Sequence, residues 1–250
     1  MVFQQKIPFE LIAYPYRIRT IDSAADLLQV LELRKRCFQA DIDKLPFDLK
    51  ADHLVVEDMN RNILCGTYRV SHSAFCDSFE CEEDFHIESF LQTKDSKMEL
   101  AWACIDDRYR SGTVLSLLWR GISEIIKITE TRYIFGITSI KEDLEEVAQI
   151  REALRKYEIP MNISAREEKL SKNLETYELK NKTPKKSLRK LIPGLLRAYL
   201  MAGAFIYSQP TFDPDLNCYD FMTVMEVDQL TEPFNHHYKL HSSHNLENEV

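Results

Sequence analysis

One segment of the sequence constrains the fold more than any other: a buried strand, a glycine turn and an apolar helix follow one another directly. The strand is predicted over residues 98–105 (MELAWACI), the turn over 108–112 (RYRSG) and the helix over 113–128 (TVLSLLWRGISEIIKI). A short apolar run that feeds a turn and then a helical pattern is typical of a sheet covered by helices. The segment therefore predicts an α/β domain.

The rest of the chain supplies further strands and helices. A helix capped by Ser23 is predicted from Ala24 to Phe38, and two strands over 53–58 and 63–70 form an antiparallel pair around the turn Asn60-Arg61-Asn62. Residues 71–97 are predicted to be irregular. Later elements are predicted as a strand over 132–139, a helix from Leu144 to Leu154, a helix that begins at Pro193 and ends before Gly203, and strands over 204–207 and 219–227.

Length and charge limit the classes of protein to consider. The chain has 250 residues and a net charge of −8, which argues against a protein that coats nucleic acid, so no nucleic-acid partner is expected. We expect one domain over residues 1–230, with a polar and basic insertion near 158–190, and a flexible tail over 231–250. No window supplies the roughly 18 apolar residues that cross a bilayer, and the N-terminus lacks a signal-peptide core. The predicted location is the cytoplasm.

No metal site is predicted. The six cysteines contain no CxxC pair, so we expect free thiols in a reducing compartment. Cys76 and Cys81 are close in sequence, but they lack a second Cys/His pair at zinc spacing. The histidines of the tail are more typical of a polar terminus than of a metal site; they are His236, His237, His241 and His244.

The turn before the apolar helix is a candidate phosphate site. The free backbone amides at a helix N-terminus and the positive end of the helix dipole attract anions. Gly112 allows the backbone to come close to a ligand, and Arg108 and Arg110 add positive charge. The candidate segment is Tyr109-Arg110-Ser111-Gly112-Thr113.

Glu99 lies within the apolar strand, where an ionised carboxylate is costly unless it is paired or hydrogen-bonded. Desolvation raises the pKa of a glutamate, which suits it to accept a proton from an ammonium group or a bridging water. The structural alternative is an ion pair with an arginine of a neighbouring strand, and Arg69 is the candidate. The two interpretations are compatible.

The order of several short motifs resembles the N-acyltransferases that make ornithine lipids. The motifs are LRKRCF (33–38), PFD (46–48), HLVVED, GTYR, MELAWACID, YRSG, LLWRGI and YLMAGAFI. These enzymes are similar to acyl-homoserine-lactone synthases and share the fold of GCN5-related N-acetyltransferases. The resemblance covers roughly residues 30–140 and 192–228. It implies a GCN5-related N-acetyltransferase-like fold, with a mixed, mostly antiparallel sheet flanked by helices.

The resemblance also implies an activity and its residues. The family transfers a (3-hydroxy) fatty acyl chain from acyl carrier protein to the α-amino group of an amino acid, usually ornithine. Glu99 and Arg69 match its strand glutamate and strand arginine. The implied substrate-side residues are Arg34, Phe38, Asp43, Asp48 and His53, and the implied acyl-pantetheine residues are Cys104, Ile105, Arg108, Arg110, Ser111, Gly112 and Thr113.

One position departs from the family. Relatives commonly have an ELGRSC-like strand, whereas this chain has Glu99-Leu100-Ala101-Trp102-Ala103-Cys104, so Trp102 replaces an arginine on the substrate side. The implied mechanism is direct attack of the amine on a thioester, with Glu99 as general base and backbone amides near Cys104 and Ile105 as donors to the developing oxyanion. Cys104 as an acyl-carrying nucleophile is disfavoured, because the sequence pairs no histidine with it.

The implied partners are acyl carrier protein, the amino acid acceptor and an anionic membrane surface. No bound cofactor is expected; the acyl carrier protein thioester is the cosubstrate. Residues 180–212 contain no acidic side chain but several lysines and arginines beside LIPGLLRAYL, which fits either a membrane contact or a solvated basic loop. We therefore expect a cytoplasmic protein with peripheral membrane contact.

Two other functions stay open. Glycerolipid O-acyltransferases use a His-x4-Asp motif, which occurs twice here, as His53 to Asp58 and His72 to Asp77. Two occurrences in one chain show how easily the pattern arises. The second alternative is a non-catalytic acyltransferase fold that acts as a binding module.

Overall fold

The computed structural model describes residues 3–40, 45–177, 179, 192–232 and 234–235. Its strands are, in chain order, β1 (Glu10–Ala13), β2 (Tyr16–Thr20), β3 (Asp52–Asp58), β4 (Ile63–His72), β5 (Phe85–His86), β6 (Lys97–Ile105), β7 (Tyr133–Ile140), β8 (Ser164–Ala165), β9 (Phe205–Ile206), β10 (Thr211–Asp213) and β11 (Cys218–Glu226). Its helices are α1 (Ala24–Phe38), α2 (Leu45–Asp48), α3 (Glu88–Leu91), α4 (Thr113–Thr129), α5 (Leu144–Leu154), α6 (Lys172–Glu175) and α7 (Gly194–Ala202).

The contacts divide the chain into two compact units. The first comprises Met1–Phe79, Ser96–Arg132 and Glu232–Val250, and the second comprises Glu80–Asp95 and Tyr133–Thr231. The boundaries predicted from the sequence, a domain over 1–230 with an insertion near 158–190 and a tail over 231–250, stay a prediction. Most of that tail and the basic run 180–191 lie outside the described residues.

The first unit contains an antiparallel sheet in the order β1-β2-β3-β4-β6. Every residue of β3 is buried, because adjacent residues of a strand face opposite sides and a helix covers each side. Val55 packs with Leu27, Val30 and Leu33 of α1. Its neighbour Leu54 lies under α4, which comes so close that a Cβ at Gly121 would be 2.8 Å from Leu54 Cδ1.

The second unit pairs β7 with one edge of β11 in antiparallel register, and β10 and β9 pair with its other edge. Its core forms where α5 and α7 bury their apolar faces. The central residues of this core are Ile140, Val147, Ile150, Leu154, Leu196, Ile206 and Phe221. A separate pair, β5 with β8, belongs to the same unit.

The main elements agree with the sequence predictions because their local signals are strong. Ser23 caps α1 by accepting a hydrogen bond from the Asp26 amide, and Gly203 closes α7 in a left-handed conformation at φ 101°. Helix α7 begins at Gly194 rather than at Pro193, which is the capping residue. The prediction of an irregular 71–97 segment was wrong in part, since β5 and α3 lie there.

Candidate functional site

A β-bulge in β6 is the main irregularity of the first unit's sheet. Thr67 of β4 lies opposite Cys104, but Arg69, two residues on, lies opposite Ala101, so β6 has one extra residue between the two pairs. Within this bulge Trp102 has φ 54°, a left-handed conformation that is uncommon for a residue other than glycine. A bulge interrupts the ladder of backbone hydrogen bonds and leaves backbone groups available for other partners. The residues of β6 within the interruption are Trp102 and Ala103, whereas Cys104 and Ile105, the implied oxyanion donors, pair with Thr67 and Gly66 just beyond it.

Next to the bulge, Arg69 and Glu99 form a buried ion pair. Arg69 Nη2 lies 3.7 Å from Glu99 Oε2, and the two side chains are 0% and 2% exposed. In the register of β4 and β6 Arg69 is opposite Ala101, so Glu99 is its diagonal neighbour on the same face of the sheet. The ion pair considered in the sequence analysis is therefore present. Burial removes water from the Glu99 carboxylate, and the adjacent guanidinium favours its ionised form, which is the form that can accept a proton.

The ion pair belongs to a larger buried network. Asp48, at the end of α2, lies 3.7 Å from Arg69 Nη1 and accepts a hydrogen bond of 2.5 Å from Arg34 Nη1 of α1. Arg34 and Asp48 are themselves buried. Within the contacts described for residues 3–40 and 45–132, the four ionised side chains Arg34, Arg69, Asp48 and Glu99 carry two positive and two negative charges. Balanced charge is what makes burial of this many ionised groups tolerable.

His53 joins the network as a neutral side chain. Its Nδ1 lies 3.0 Å from Arg34 Nη2, and its Nε2 lies 3.0 Å from the Asp48 carbonyl oxygen. A guanidinium can only donate, so Nδ1 accepts and Nε2 carries the proton that it donates to Asp48. Burial, and then the positive charge of Arg34, hold the pKa of His53 well below its usual value. We conclude that His53 fixes Arg34 and Asp48 rather than carrying charge.

Aromatic rings line the network near the bulge. Phe38 packs against Trp102 edge to face at 5.3 Å between ring centroids, and the Arg34 guanidinium lies 5.7 Å from the Trp102 ring. Phe47 lies 5.5 Å from the Arg69 guanidinium. Cations are attracted to aromatic faces at such distances. Phe47 was absent from the predicted site, although it stands in the PFD motif beside Asp48.

The candidate phosphate turn lies between β6 and α4. Gly112 has φ 94°, no atom lies within 4 Å of where its Cβ would be, and the exposed Ser111 and Thr113 flank it. The backbone at the start of α4 is therefore accessible to a ligand. Because α4 is a long helix, its free amides and its dipole both favour an anion there.

The two arginines of this turn already have acidic partners. Arg108 donates two hydrogen bonds of 2.9 Å to Asp106, and this contact lowers the pKa of Asp106 to about 2. Arg110 pairs with Asp107 at 2.9 Å and donates to the Ile105 carbonyl oxygen at 3.1 Å. Both arginine side chains are more than half exposed. Each arginine can turn toward an anion, but its aspartate then competes with the anion for the guanidinium group.

Cys104 is buried beside the bulge and has a thiol neighbour that the sequence analysis missed. Cys37, the residue before Phe38 in α1, donates a hydrogen bond of 3.5 Å to the Ile105 carbonyl oxygen, and its thiol is close enough to that of Cys104 for each to shift the pKa of the other. The contact with Cys37, together with burial, raises the pKa of Cys104, whereas the same contact lowers the pKa of Cys37. Cys104 is thus held as a protonated thiol, which is a poor nucleophile.

The His-x4-Asp candidates do not form pairs in the described contacts. Asp58 accepts hydrogen bonds of 2.7 Å from Tyr109 and from Arg61, whereas His53 bonds to Arg34 and Asp48. His72 accepts a hydrogen bond from the Ala74 amide, and Asp77 is exposed. A catalytic His-Asp pair needs a direct hydrogen bond between the two side chains.

The structure thus brings most predicted residues of the reaction site into one unit. Glu99, Arg69, Arg34, Asp48 and His53 form the buried network, and Phe38 and Trp102 border it. Asp43 lies outside the described residues. Among the described residues, no helix combines the length and the apolar character that crossing a membrane requires.

Comparison with known proteins gives a consistent result. Residues 28–120 match the family described as Acetyltransferase (GNAT) domain, a range that contains the whole buried network. The chain is 23% identical to an L-ornithine N(alpha)-acyltransferase of Rhodobacter capsulatus, with 77% of each chain covered. It is 24% identical to the enzyme of that name from Rhizobium meliloti, with 90% of this chain and 78% of the relative covered.

A solved structure supports the fold. The N-acyl amino acid synthase FeeM from uncultured soil microbes superposes with a TM-score of 0.53 and 9% identity, covering 94% of this chain and 99% of that one. At this identity the similarity concerns the fold alone. The predicted GCN5-related N-acetyltransferase-like fold, with a mostly antiparallel sheet flanked by helices, is confirmed. The resemblance to ornithine N-acyltransferases is also confirmed.

Proposed function

We propose that this protein is an N-acyltransferase that moves a fatty acyl chain from a thioester to the α-amino group of an amino acid, with ornithine as the acceptor. The observation that carries the proposal is the pairing of a strand bulge with a buried Glu99–Arg69 pair in the same sheet. Similarity to three curated L-ornithine N(alpha)-acyltransferases supports the reaction and the acceptor.

In the proposed reaction the acceptor's ammonium group first loses a proton to Glu99, directly or through a water. The amine nitrogen then forms a bond to the thioester carbon, and the carbonyl oxygen gains negative charge. Backbone amides that the bulge frees from the ladder stabilise this oxyanion. The nitrogen, which is positively charged after the attack, releases its extra proton to solvent, and the C–S bond breaks as the oxyanion collapses. The departing thiolate takes up a proton, which leaves a neutral amide and a free thiol.

Arg69 has a positioning role in this mechanism. The ion pair holds the Glu99 side chain in place beside the bulge. Asp48 supplies a second negative charge, which together with Glu99 offsets the positive charges of Arg69 and Arg34. His53 and Phe38 fix Arg34 and Trp102 respectively. Phe38 and Trp102 provide apolar surface for the substrate.

We further propose that the donor is an acyl carrier protein thioester. The accessible turn at Gly112 would hold the phosphate of its pantetheine arm, with Ser111, Thr113 and the arginines at its sides. Because acyl carrier protein is acidic, exposed arginines favour its approach. The test compares acyl transfer from acyl carrier protein with transfer from coenzyme A thioesters; equal or better use of coenzyme A would contradict this donor.

A lipid product also suggests contact with an anionic membrane. Within the described residues, Arg197 of α7 is half-buried and Met201 is 72% exposed. Basic and apolar side chains side by side favour an anionic membrane interface. Co-flotation with anionic vesicles and its loss in Arg197→Glu/Met201→Glu test this contact; unchanged flotation would exclude this part of the surface.

The decisive experiment for the reaction is lipid mass spectrometry of a host that lacks aminolipids and expresses the protein. We expect a new N-acyl amino acid whose mass reports both the acceptor and the acyl chain. Glu99→Gln should abolish it when the amount of product is normalised to the amount of folded protein. The matched control is Glu57→Gln, because Glu57 is also a buried acid of this sheet, paired with Arg17 at 2.6 Å, but is not part of the network.

The outcomes separate the alternatives. Full N-acyl product from Glu99→Gln would refute the general base. New glycerolipids instead of aminolipids would favour the O-acyltransferase, and soluble protein that makes neither, with acyl carrier protein supplied, would favour a binding module.

A further inference from the structure

The hairpin formed by β10 and β11 carries three potential metal ligands on one face. Asp213 ends β10 and lies opposite Cys218, the first residue of β11, and Asp220 follows two residues after Cys218 on the same face. One ligand atom each from Asp213, Cys218 and Asp220 lie within 4.8 Å of one another. Cys218 and Asp220 are buried, whereas Asp213 is half-buried. The three side chains belong to the second unit and play no part in the proposed reaction.

A second, independent observation comes from Thr211. This side chain is 1% exposed, and its Oγ1 has no hydrogen-bond partner in the part of the chain that the structure describes. Thr211 lies directly opposite Asp220, so its side chain is on the face that carries the three ligands. A buried hydroxyl without a partner costs free energy, and such groups are rare in folded proteins. The Thr211 hydroxyl oxygen is therefore a potential ligand atom on the same face as the cluster.

The ligand set has a definite chemical preference. One thiolate with carboxylate oxygens suits a borderline cation such as Zn²⁺ better than the hard cations Mg²⁺ and Ca²⁺, which prefer oxygen alone. At tetrahedral zinc a sulfur and an oxygen ligand are about 3.6 Å apart. Cys218 Sγ already lies 3.6 Å from Asp220 Oδ1. The Asp213 oxygen lies within 4.8 Å of both atoms.

We propose that Asp213, Cys218 and Asp220 bind one Zn²⁺ ion, with the Thr211 hydroxyl or a water that it holds in the fourth position. The backbone prepares this arrangement. Asp213 Oδ1 accepts hydrogen bonds from the amides of Asp215 and Leu216 at 2.7 and 3.1 Å, which fixes the carboxylate at the turn. Orienting contacts of this kind hold a ligand in place for a metal. The ion would fasten the β10–β11 hairpin.

Cobalt is the probe of choice, because Co²⁺ occupies zinc sites and a Co²⁺–thiolate bond gives a charge-transfer absorption that oxygen and nitrogen ligands do not. We expect the full chain, stripped with a chelator and titrated with Co²⁺, to develop this absorption at one ion per chain. Zn²⁺ should remove the absorption and raise the melting temperature. The thiolate forms only when the thiol releases its proton, so binding should strengthen as the pH rises.

Variants locate the site. Cys218→Ser should lose the charge-transfer absorption and the zinc-dependent rise in melting temperature, and Asp220→Asn should weaken binding at least tenfold. Cys81→Ser, a buried cysteine of the same unit that is outside the cluster, is the matched control and should behave as the parent chain. Circular dichroism of each metal-free variant checks that it folds. A chain in which His236, His237, His241 and His244 are replaced by alanine should bind as before.

Three results would overturn the proposal. The first is the absence of Co²⁺ and Zn²⁺ binding by the parent chain. The second is charge-transfer absorption that survives in Cys218→Ser. The third is binding that disappears with the tail histidines. The readouts do not depend on acyl transfer, so failure of the proposed reaction leaves this test intact.

Discussion

The buried charge network predicts strong coupling between Arg69 and Glu99 in a double-mutant cycle. The three variants are Arg69→Met, Glu99→Gln and the double variant. Arg69→Met leaves the carboxylates of Glu99 and Asp48 with one arginine, Arg34, and Glu99→Gln leaves two arginines with one carboxylate. The double variant keeps one charge of each sign. Each single change therefore leaves a buried charge unbalanced, and the double change does not.

The magnitude follows from the geometry. At 3.7 Å and an effective dielectric constant of about 20, the attraction between Arg69 and Glu99 is about 4.5 kcal/mol. Removing one partner of a buried ion pair typically costs about 3–5 kcal/mol, because the remaining charge stays desolvated. We expect each single variant to lose about that much free energy of unfolding. The double variant should lose about 2–4 kcal/mol less than the sum of the two.

Urea unfolding followed by far-ultraviolet circular dichroism measures these free energies, and equal m-values across the variants would show that they unfold from comparable states. The matched control is the cycle on Arg17 and Glu57, whose contact is 2.6 Å but whose arginine side chain is 34% exposed. Solvent screening should keep that coupling near or below about 1 kcal/mol. Additive losses at Arg69 and Glu99, or equal coupling in the two cycles, would refute the account of a charge-balanced buried network.

Three further predictions concern single groups. Because the pKa of folded His53 is depressed, the unfolded chain binds a proton at this residue below about pH 6.5 and the folded chain does not. The free energy of unfolding therefore falls as the pH falls. His53→Gln should reduce the slope of that free energy against pH by up to about 1.4 kcal/mol per pH unit in urea titrations. Because its contact with Cys104 lowers the pKa of Cys37, iodoacetamide at neutral pH should alkylate Cys37 first among the six cysteines by mass spectrometry, and Cys104→Ala should slow it. Gly66→Ala places a Cβ 2.7 Å from Val114 Cγ1 and should cost about 1–3 kcal/mol in urea unfolding, which Val114→Ala should largely restore.

The parts of the fold that the sequence predicted are those with local signals. Helix α1 has a capping serine and an apolar stripe, and α4 is apolar over most of its length. The strands β3 and β4 follow from their composition and the turn between them. By contrast, β1 and β2 were not predicted, because Pro8 and Pro15 and the alternating charges of YRIRT conceal a hairpin that is stabilised by pairing with β3.

The contacts of the candidate site were likewise predictable only where a signal in the sequence pointed to them. The Arg69–Glu99 pair could be inferred because a buried acid needs a counter-ion and the neighbouring strand offers one. The role of Asp48 as partner of both Arg34 and Arg69 could not be inferred, because it depends on where α2 places its last residue. The contact between Cys37 and Cys104 is also tertiary. It joins a helix and a strand that are far apart in sequence.

Trp102 shows why the bulge escaped prediction and what it does to the charge of the site. Glycine and asparagine are the residues that normally adopt a left-handed backbone, and neither stands at this position, so the sequence gives no sign of a bulge. Contacts with Phe38 and Arg34 hold the tryptophan in this conformation. In the ELGRSC-like strand of the resembling enzymes an arginine stands here. An arginine would make three positive charges against two negative ones in this network. Tryptophan keeps the balance at two against two while its ring still contacts the Arg34 guanidinium, so the departure from the family is compatible with an intact Glu99–Arg69 pair.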